Sequence, residues 1–481
     1  MAAKTTTLNA KNLEALGAPR LAELLIEIST GSAANKRRLR MELAGNHSGA
    51  EIAREVRKRF ASIARSRTVI NWRKVKAVAA DLETQRKTIV DVLAPDDPKE
   101  ALELAWHFLA LAEPIFQRSA NESSSIIESF HQACVDAGVI AQSAGVEKDA
   151  LADKIFAAVQ NNDHGQYDPL IAAMAPALGK EGLDRLKGLF VQWSKEPQDT
   201  VDQGDRRVIG WGSQGPIYED QAYGNRRELT VRIALQEIAD AQGDVDAYIA
   251  QQPEKSRKMP LVATDIARRL LSAGRAAEAL QTLDAVDARG RPDVAIEWQL
   301  ARVEVLESLG RADEAQADRW KWFEQSLNDV HLRAFLRRLP DFDDMEAEEK
   351  AFAYAQAFQE VHRALAFFLR WPAITQAAKL VLTRQAELDG DLYELMTPAA
   401  EALAEKHPLA ATIVLRSMID FTLENARSSR YRYAAQHLDT CARLAPHIND
   451  FGSAGSDEAY VSELKDRHGK KPAFWNSVQR I

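Results

Sequence analysis

Apolar residues recur along most of the chain at the three- and four-residue spacing of amphipathic helices. In the stretch 50–65 the apolar residues fall within about 80° of arc at about 100° per residue, and the cations point the other way. These apolar residues are Ile52, Val56, Phe60 and Ile63. Strict alternation of apolar and polar residues is hard to find anywhere. The pattern therefore predicts an all-α, multi-helical protein.

Capping residues, prolines and glycines predict several helix boundaries. Asp97, Pro98 and Glu100 together predict a helix start, because they supply a cap, a proline at the first helical position and a glutamate three residues after the cap. Gly138 is expected to stop the following helix, over 125–137. Further helices are predicted over residues 12–30, 33–44, 49–65, 72–93, 148–160, 169–178 and 181–194.

An acidic run precedes another predicted helix. Asp343 with Glu346 is expected to cap a long helix that runs to about Arg370. The run also contains Asp341 and Asp344, but it lacks the glycine and the terminal glutamate spacing of an EF-hand loop. We therefore interpret it as a helix cap and not as a calcium site.

A heptapeptide is repeated in the C-terminal half of the chain. Residues 273–279 (AGRAAEA) return as residues 309–315 (LGRADEA), a spacing of 36 residues. A repeat of this length is typical of helix-pair solenoids. The Gly-Arg pair closes one helix and opens a turn, so the pattern predicts tetratricopeptide-like helix hairpins in this half. Weaker copies occur at 241–247 and 429–435.

Residues 197–226 interrupt the helical pattern with a cluster of glycine, proline and aromatic residues. We predict that this loop separates an N-terminal helical region, 1–196, from the repeat region, 227–481. Because a long loop that keeps large apolar residues usually packs on the body or forms a binding feature, it either fills a gap between helices or contacts a ligand or partner. Its candidate contact residues are Arg206, Arg207, Trp211 and Tyr218.

Composition and cysteine content narrow the class of protein. With 46% hydrophobic and 27% charged residues, the chain resembles an ordinary soluble protein. No apolar run approaches the roughly 20 residues that span a bilayer, and the N-terminus leads into no apolar signal-peptide core. We therefore expect a cytoplasmic protein without membrane contact. Cys134 and Cys441 are expected to be core residues, and no metal or other cofactor is predicted.

The net charge of −8 is unevenly distributed, with one basic segment in an otherwise acidic chain. Residues 35–76 carry 13 Lys/Arg against 3 Asp/Glu. These cations either remain solvated or pair with acidic parts of the same chain, or they bind an acidic protein or a nucleic acid. Aromatic residues that could stack on bases are scarce here, being only Phe60 and Trp72. The candidate contact residues are Lys36, Arg37, Arg38, Arg40, Arg54, Lys58 and Arg65.

No motif in the sequence assigns a catalytic residue. The ten histidines are dispersed, and neither an HExxH pair nor a Gly-x-Ser-x-Gly elbow occurs. A site built from dispersed residues would leave no such signature. The sequence leaves enzyme activity open and favours a non-catalytic protein.

Four segments carry a family resemblance. They are residues 70–75 with the helix to Leu93, residues 97–102, residues 208–212 and residues 460–475. Together they resemble an uncharacterised bacterial family known only as a domain of unknown function, over nearly the whole chain. More remotely, the region 70–135, the Gly-Arg repeats and the tail are similar to the helical part of bacterial SWIM-type zinc-finger proteins. The zinc module of those proteins is absent, so the resemblance implies a helical fold and no activity.

The sequence leaves three possible functions open. The favoured function is a non-catalytic scaffold or adaptor whose repeats bind another protein of unidentified nature. The alternative is a nucleic-acid-associated protein that binds through the basic N-terminal helices, using Arg37, Arg38, Arg54 and Lys58. The third is an enzyme or small-molecule sensor at the 206–218 loop. The sequence does not specify an oligomeric state.

Overall fold

The computed structural model describes residues 8–31, 35–36, 39, 49–119, 124–197, 208–212, 215–218, 226–286 and 296–480. These residues are helical almost throughout, which confirms the prediction of an all-α protein. The chain forms two compact units, residues 1–254 and 255–481.

The described helices of the first unit lie mostly N-terminal to the predicted loop. They are α1 (Ala10–Glu14), α2 (Ala18–Ser29), α3 (Gly49–Arg65), α4 (Trp72–Lys87), α5 (Pro98–Leu109), α6 (Ala112–Phe116), α7 (Ser124–Ala144), α8 (Lys148–Gln160), α9 (Leu170–Lys195), α10 (Arg226–Gln242) and α11 (Val245–Ala250). A π-helical turn, Thr88–Leu93, continues α4.

The core of the first unit is built around a group of phenylalanines. Phe108 of α5 packs on Phe130 of α7 with ring centroids 5.5 Å apart, and Phe60 of α3 lies 5.9 Å from Phe108. The apolar arc predicted for α3 is buried in this core. The predicted start of α5 is also confirmed, since the Asp97 side chain accepts a hydrogen bond from the Glu100 backbone N–H at 3.0 Å.

Gly138 does not stop its helix, contrary to the prediction. Helix α7 continues through it to Ala144. A Cβ atom at this position would lie only 2.1 Å from the carbonyl oxygen of Ala173 in α9. The glycine is therefore required by the close approach of two helix backbones, and not by a helix end.

Helix α9 contains the two helices predicted over 169–178 and 181–194. Gly179 between them has φ 58° and ψ −170°, which breaks the helical path without a connecting loop. A glycine adopts this conformation easily because it has no Cβ atom.

The predicted loop 197–226 contains a β-hairpin. Strand β1 (Val208–Gly212) pairs antiparallel with strand β2 (Gly215–Tyr218), and Trp211 lies opposite Pro216. The prediction of a loop rested on the glycine and proline content. It missed the pairing because it gave no weight to the apolar residues between the glycines, which are β-branched or aromatic and therefore favour strands.

Helix α10 belongs to the first unit, although it follows the predicted dividing loop. Its apolar face, with Val231, Ala234 and Ile238, is buried in the core of the first unit. The compact units divide after Glu254. The division of the chain at 197–226 stays a prediction.

The second unit begins as a series of helix hairpins. Its described helices are α12 (Glu254–Arg257), which starts at the last residue of the first unit, α13 (Pro260–Ser272), α14 (Ala276–Asp284), α15 (Ile296–Ser308), α16 (Ala312–Ser326), α17 (Asp329–Leu336), α18 (Asp343–Gln356), α19 (Val361–Arg370), α20 (Ile374–Thr383), α21 (Tyr393–Ala404), α22 (Pro408–Glu424), α23 (Tyr431–Leu444), α24 (Asp457–His468) and α25 (Pro472–Val478). Most of their packing joins helices that are neighbours or next neighbours in sequence.

The two copies of the heptapeptide form the same turn. Gly274 and Gly310 have φ values of 75° and 73°. After each glycine the arginine N–H donates to a carbonyl five residues earlier, at 2.8 Å for Arg275 and 2.9 Å for Arg311. This bond is the mark of a Schellman helix ending. Each arginine also pairs with the glutamate three residues later. The tetratricopeptide-like character of the array stays a prediction.

The long helix predicted from Asp343 to about Arg370 is two helices, α18 and α19. In one straight helix Phe352 and Phe367 would be about 22 Å apart along the axis. Their ring centroids are 6.5 Å apart, and both contribute to the second core. The chain must therefore turn between the two residues, because packing both rings in one core is incompatible with a single straight helix.

Candidate functional site

The predicted basic contact residues lie on or before α3. Lys36 is exposed, and so are Arg54, Lys58 and Arg65 on the solvent side of α3. Arg37, Arg38 and Arg40 lie outside the described residues, as does most of the helix predicted over 33–44.

Several cations of α3 are neutralised within the chain. The ammonium of Lys58 lies 2.6 Å from the carboxylate of Glu55. Arg57 pairs with Glu100, and Arg59 donates from Nε to Asp81 at 2.9 Å. The stripe predicted along α3 is therefore interrupted by ion pairs, and its exposed charge shifts toward the C-terminal end of the helix.

A denser basic surface lies where α3 ends and α4 begins. We define the α3–α4 basic surface by its exposed cations. They are Arg65, Arg67, Arg73, Lys74 and Lys76. Among the described residues none of these five has an ion-pair partner. This surface is a candidate for binding an anionic ligand.

Trp72 lies beside Arg73 of this surface. Its side chain is 79% exposed, and the Arg73 guanidinium lies 5.0 Å from the ring centroid. An exposed indole beside cations can stack on a nucleobase or another planar group. Val69 beside it is also 61% exposed.

A cavity of about 230 Å³ lies under the α3–α4 basic surface. Its polar lining combines cations, hydroxyl groups and one carboxylate. These residues are Arg59, Ser62, Ser66, Thr68, Lys74, Asp81 and Arg118, and the apolar lining is Ile63, Ile70, Val78 and Leu82.

Arg118 joins three parts of the chain at this cavity. Its guanidinium donates to the carbonyl oxygens of Pro114 at 2.8 Å and Ile63 at 3.0 Å. Its own carbonyl accepts a hydrogen bond from Ile70 N–H at 2.8 Å. Burial lowers the pKa of Arg118. Within the described residues no carboxylate pairs with this guanidinium, so its charge lacks compensation.

A second group of polar residues surrounds the loop 161–169. His131 Nε2 lies 2.8 Å from the carbonyl oxygen of Gly165, and the Gln166 side chain is buried. Burial, with the neighbouring Asp168 carboxylate, raises the pKa of Glu237 on α10 to about 7. The hydrogen bonds within this loop fix its shape, and nothing in the described residues completes a set of catalytic groups around Glu237.

Neither the cysteines nor the acidic residues form a chemical centre in the described structure. Cys134 and Cys441 are fully buried, which confirms them as core residues, and burial raises the pKa of both thiols. A buried thiol of raised pKa is inert as a nucleophile. Nowhere in the described residues do three His, Cys, Asp or Glu side chains gather closely enough to hold a metal ion.

The candidate residues of the hairpin segment are only partly described. Trp211 and Tyr218 lie in β1 and β2, whose backbone alone is described, and Arg206 and Arg207 lie outside the described residues. The two ends of the segment are held by Arg227, which donates to the Glu196 carbonyl at 3.0 Å.

An exposed phenylalanine occupies a tight turn before α18. The Asp343 N–H donates to the Pro340 carbonyl at 3.2 Å, which closes a four-residue turn. Phe342 has φ 75° and ψ −30°, near the values of the third residue of a type II turn, where glycine is preferred. Its side chain is 80% exposed, and that of Met345 is 64% exposed.

The same turn corrects the predicted cap. Phe342 is the N-cap residue and makes no side-chain cap bond, while Asp343 is the first helical residue. Four exposed carboxylates neighbour the two apolar residues in sequence, and none has an ion pair in the described part of the chain. They belong to Asp341, Asp343, Asp344 and Glu346. We call these six residues the acidic-aromatic corner.

Sequence analysis missed two residues of these surfaces, Arg118 and Phe342. Arg118 has no basic neighbour in sequence, so nothing indicated its place beside α3. Trp72 was named as a possible stacking residue, and only the packing of α4 shows that it is exposed. Phe342 resembled an ordinary apolar residue, although its position after Pro340-Asp341 is a usual turn signal.

The comparisons with known proteins identify one matching family. The model of a family of unknown function, DUF6880, matches residues 3–477. No curated protein matches the chain. The remote similarity to SWIM-type proteins stays a prediction. Within the described part of the chain, no helix combines the length and apolar character that a membrane crossing requires. Because the match extends over nearly the whole sequence, the chain belongs to the DUF6880 family of unknown function.

Proposed function

We propose that this protein is a non-catalytic, cytoplasmic scaffold whose helix hairpins bind a partner protein. The hairpins of the second unit pack mainly on their sequence neighbours, which is the arrangement of helical-repeat binding proteins. The observation that carries the proposal is the acidic-aromatic corner, where a large apolar side chain is exposed in a strained turn.

The fold itself gains little from a phenylalanine at this position. A non-glycine residue with positive φ costs about 1–2 kcal/mol in conformational strain. A side chain that is 80% exposed recovers little of this by burial. The benefit of the phenylalanine is therefore expected in a contact outside the chain.

The charges around Phe342 indicate the chemistry of the partner. Four carboxylates without an ion pair among the described residues neighbour Phe342 and Met345 in sequence, so the matching surface would have an apolar pocket with basic residues beside it. A partner with an acidic rim would be repelled by this corner.

The experiment compares partner recovery by tagged Phe342→Gly and wild-type protein from native host cells, with and without nuclease. We expect Phe342→Gly to lose a stoichiometric, nuclease-resistant partner. The same variant should unfold at a slightly higher temperature, since the strain is relieved. Tyr433→Ala is the matched control, because Tyr433 is a 61% exposed aromatic residue outside the corner. Equal recovery of the same partners by Phe342→Gly and wild type would contradict the proposed docking role.

A second candidate function is nucleic-acid binding, favoured by Trp72 among the cations of the α3–α4 basic surface. Because Lys58 is paired with Glu55, we place this function at the surface around Trp72, and Arg54 in the first half of α3 stays a separate candidate contact. Fluorescence anisotropy of a labelled single-stranded oligonucleotide tests it. Binding should weaken steeply with salt and fall further in Trp72→Ala. Salt-independent binding, or binding unaffected by Trp72→Ala, would argue against it.

A further inference from the structure

We infer that the cavity under the α3–α4 basic surface binds a phosphoryl oxyanion. This site lies in the first unit and does not depend on the acidic-aromatic corner. Four side chains of its lining carry charge, three positive and one negative, and this excess of positive charge supports the inference. They are Arg59, Lys74, Asp81 and Arg118.

The internal ion pair leaves two positive charges in the cavity. Arg59 and Asp81 neutralise each other through the bond from Nε, at 2.9 Å, and a second bond from Nη2. Arg118 contacts carbonyl oxygens instead of a carboxylate, and Lys74 is exposed without an ion pair among the described residues. A partly buried cation without a counter-ion is unfavourable, so an anion entering here would be stabilised.

Arg118 also retains hydrogen-bonding capacity. A guanidinium has five N–H groups. Three of them are directed at the carbonyls of Pro114, Ile63 and, weakly at 3.5 Å, Thr68. Two remain for an oxyanion, and a guanidinium with two N–H groups matches a phosphate well. The bond from Nη2 to Ile63 helps to satisfy a carbonyl in the last turn of α3.

Hydroxyl groups complete the set of donors. Ser62, Ser66 and Thr68 line the cavity, and each hydroxyl can donate one hydrogen bond. Lys74 lies in the first turn of α4, whose N-cap Asn71 makes no side-chain cap bond. The positive end of the α4 dipole is therefore on the same side as Lys74.

The size of the cavity limits what enters it. Pockets for whole small molecules usually have volumes of about 300–1,000 Å³. At about 230 Å³ this cavity suits a phosphoryl group, with the rest of the ligand outside. The ligand is either a small phosphorylated molecule or the backbone of a nucleic acid.

Isothermal titration of the full-length protein tests the inference with four probes. They are inorganic phosphate, pyrophosphate, a nucleoside monophosphate and a single-stranded oligonucleotide, each against chloride of equal ionic strength. Lys74→Gln removes one lining charge, and Lys76→Gln removes an exposed charge of the same helix that does not line the cavity. Thr68→Val removes one lining hydroxyl and leaves Arg118 in place, since Arg118→Ala would also release the carbonyls that it holds.

We expect saturable binding that Lys74→Gln weakens about tenfold, and Lys76→Gln less than about twofold, since loss of one charge-assisted bond has this magnitude. Thr68→Val should weaken binding by a smaller factor. Absence of saturation with every probe up to about 10 mM, or equal losses in Lys74→Gln and Lys76→Gln, would overturn the inference. Tight binding of the monophosphate would identify a small molecule as the source of the phosphoryl group. Oligonucleotide binding that phosphate competes away would identify a nucleic acid.

Discussion

His331 makes the second unit sensitive to acid. It lies fully buried in α17, where its Nε2 contacts the side-chain oxygen of Gln299 at 2.7 Å. That oxygen is an acceptor, so Nε2 carries the proton of the neutral ring. The other nitrogen, Nδ1, is buried without a partner among the described residues. Protonating it would place a charge in a site that has no acceptor for it.

The expected loss of stability follows from the pKa. Burial, aided by the charge of Arg319, lowers the pKa of His331 from 6.5 to about 4. The unfolded chain therefore binds the proton at a higher pH than the folded chain. The stabilisation is fully present above pH 6.5 and is lost as the pH falls through 4. Between pH 7.5 and pH 4.5 this one group should reduce the free energy of unfolding by about 2–3 kcal/mol.

Urea denaturation of wild type and His331→Gln at the two pH values measures this effect. Other groups change stability in both proteins, so the informative quantity is the difference between their losses. We expect wild type to lose about 2–3 kcal/mol more than the variant, because glutamine does not titrate. His107→Gln, at an exposed position on α5, is the control and should lose as much as wild type. Equal losses in wild type and His331→Gln would refute the reasoning.

Four further substitutions test the packing and the electrostatics by the same denaturation assay. Gly138→Ala should destabilise by about 2–4 kcal/mol, because its Cβ would lie 2.1 Å from the Ala173 oxygen, and an unchanged midpoint would contradict this contact. Gly274→Ala should lower the free energy of unfolding by about 1–2 kcal/mol, because Gly274 has a positive φ. Gly188→Ala, at a helical position where a Cβ atom meets no neighbour, should raise it by about 0.5–1 kcal/mol. A change of the same sign in both variants would contradict the role of Gly274 in its turn. Glu237→Gln should be more stable than wild type above pH 7 by about 1–2 kcal/mol. The raised pKa of Glu237 stabilises the wild-type fold at low pH, and this stabilisation is lost as the pH rises through 7. No gain in the stability of the variant at pH 8 would contradict the burial of Glu237.

The acidic-aromatic corner and the α3–α4 basic surface are opposite in charge and belong to different units of the chain. Each holds an exposed aromatic residue, Phe342 or Trp72, with charged side chains that lack ion-pair partners within the described residues. Variants at the two places therefore separate protein docking from anion binding. Phe342→Gly should leave phosphate titration unchanged, and Lys74→Gln should leave partner recovery unchanged.

Local sequence determined those parts of the fold that depend on nearby residues. The spacing of Val56, Phe60 and Ile63 predicted the buried face of α3, because helix periodicity operates over three or four residues. Gly274 and Gly310 were expected at helix endings, since the left-handed turn needs a residue without Cβ. The same reasoning located the start of α5.

Tertiary structure alone decided the rest, because the deciding partners are distant in sequence. Gly138 resembles a helix stop until α9 is packed against it, and the break before α19 follows from two rings meeting in one core. Arg118 reaches a carbonyl 55 residues away, so neither its own motif nor its neighbours indicated the cavity. The sequence by itself determined that this chain is helical and where many helices begin. Which faces meet, and which charges remain unpaired, is set by the summed packing of many helices, a property that no local pattern encodes.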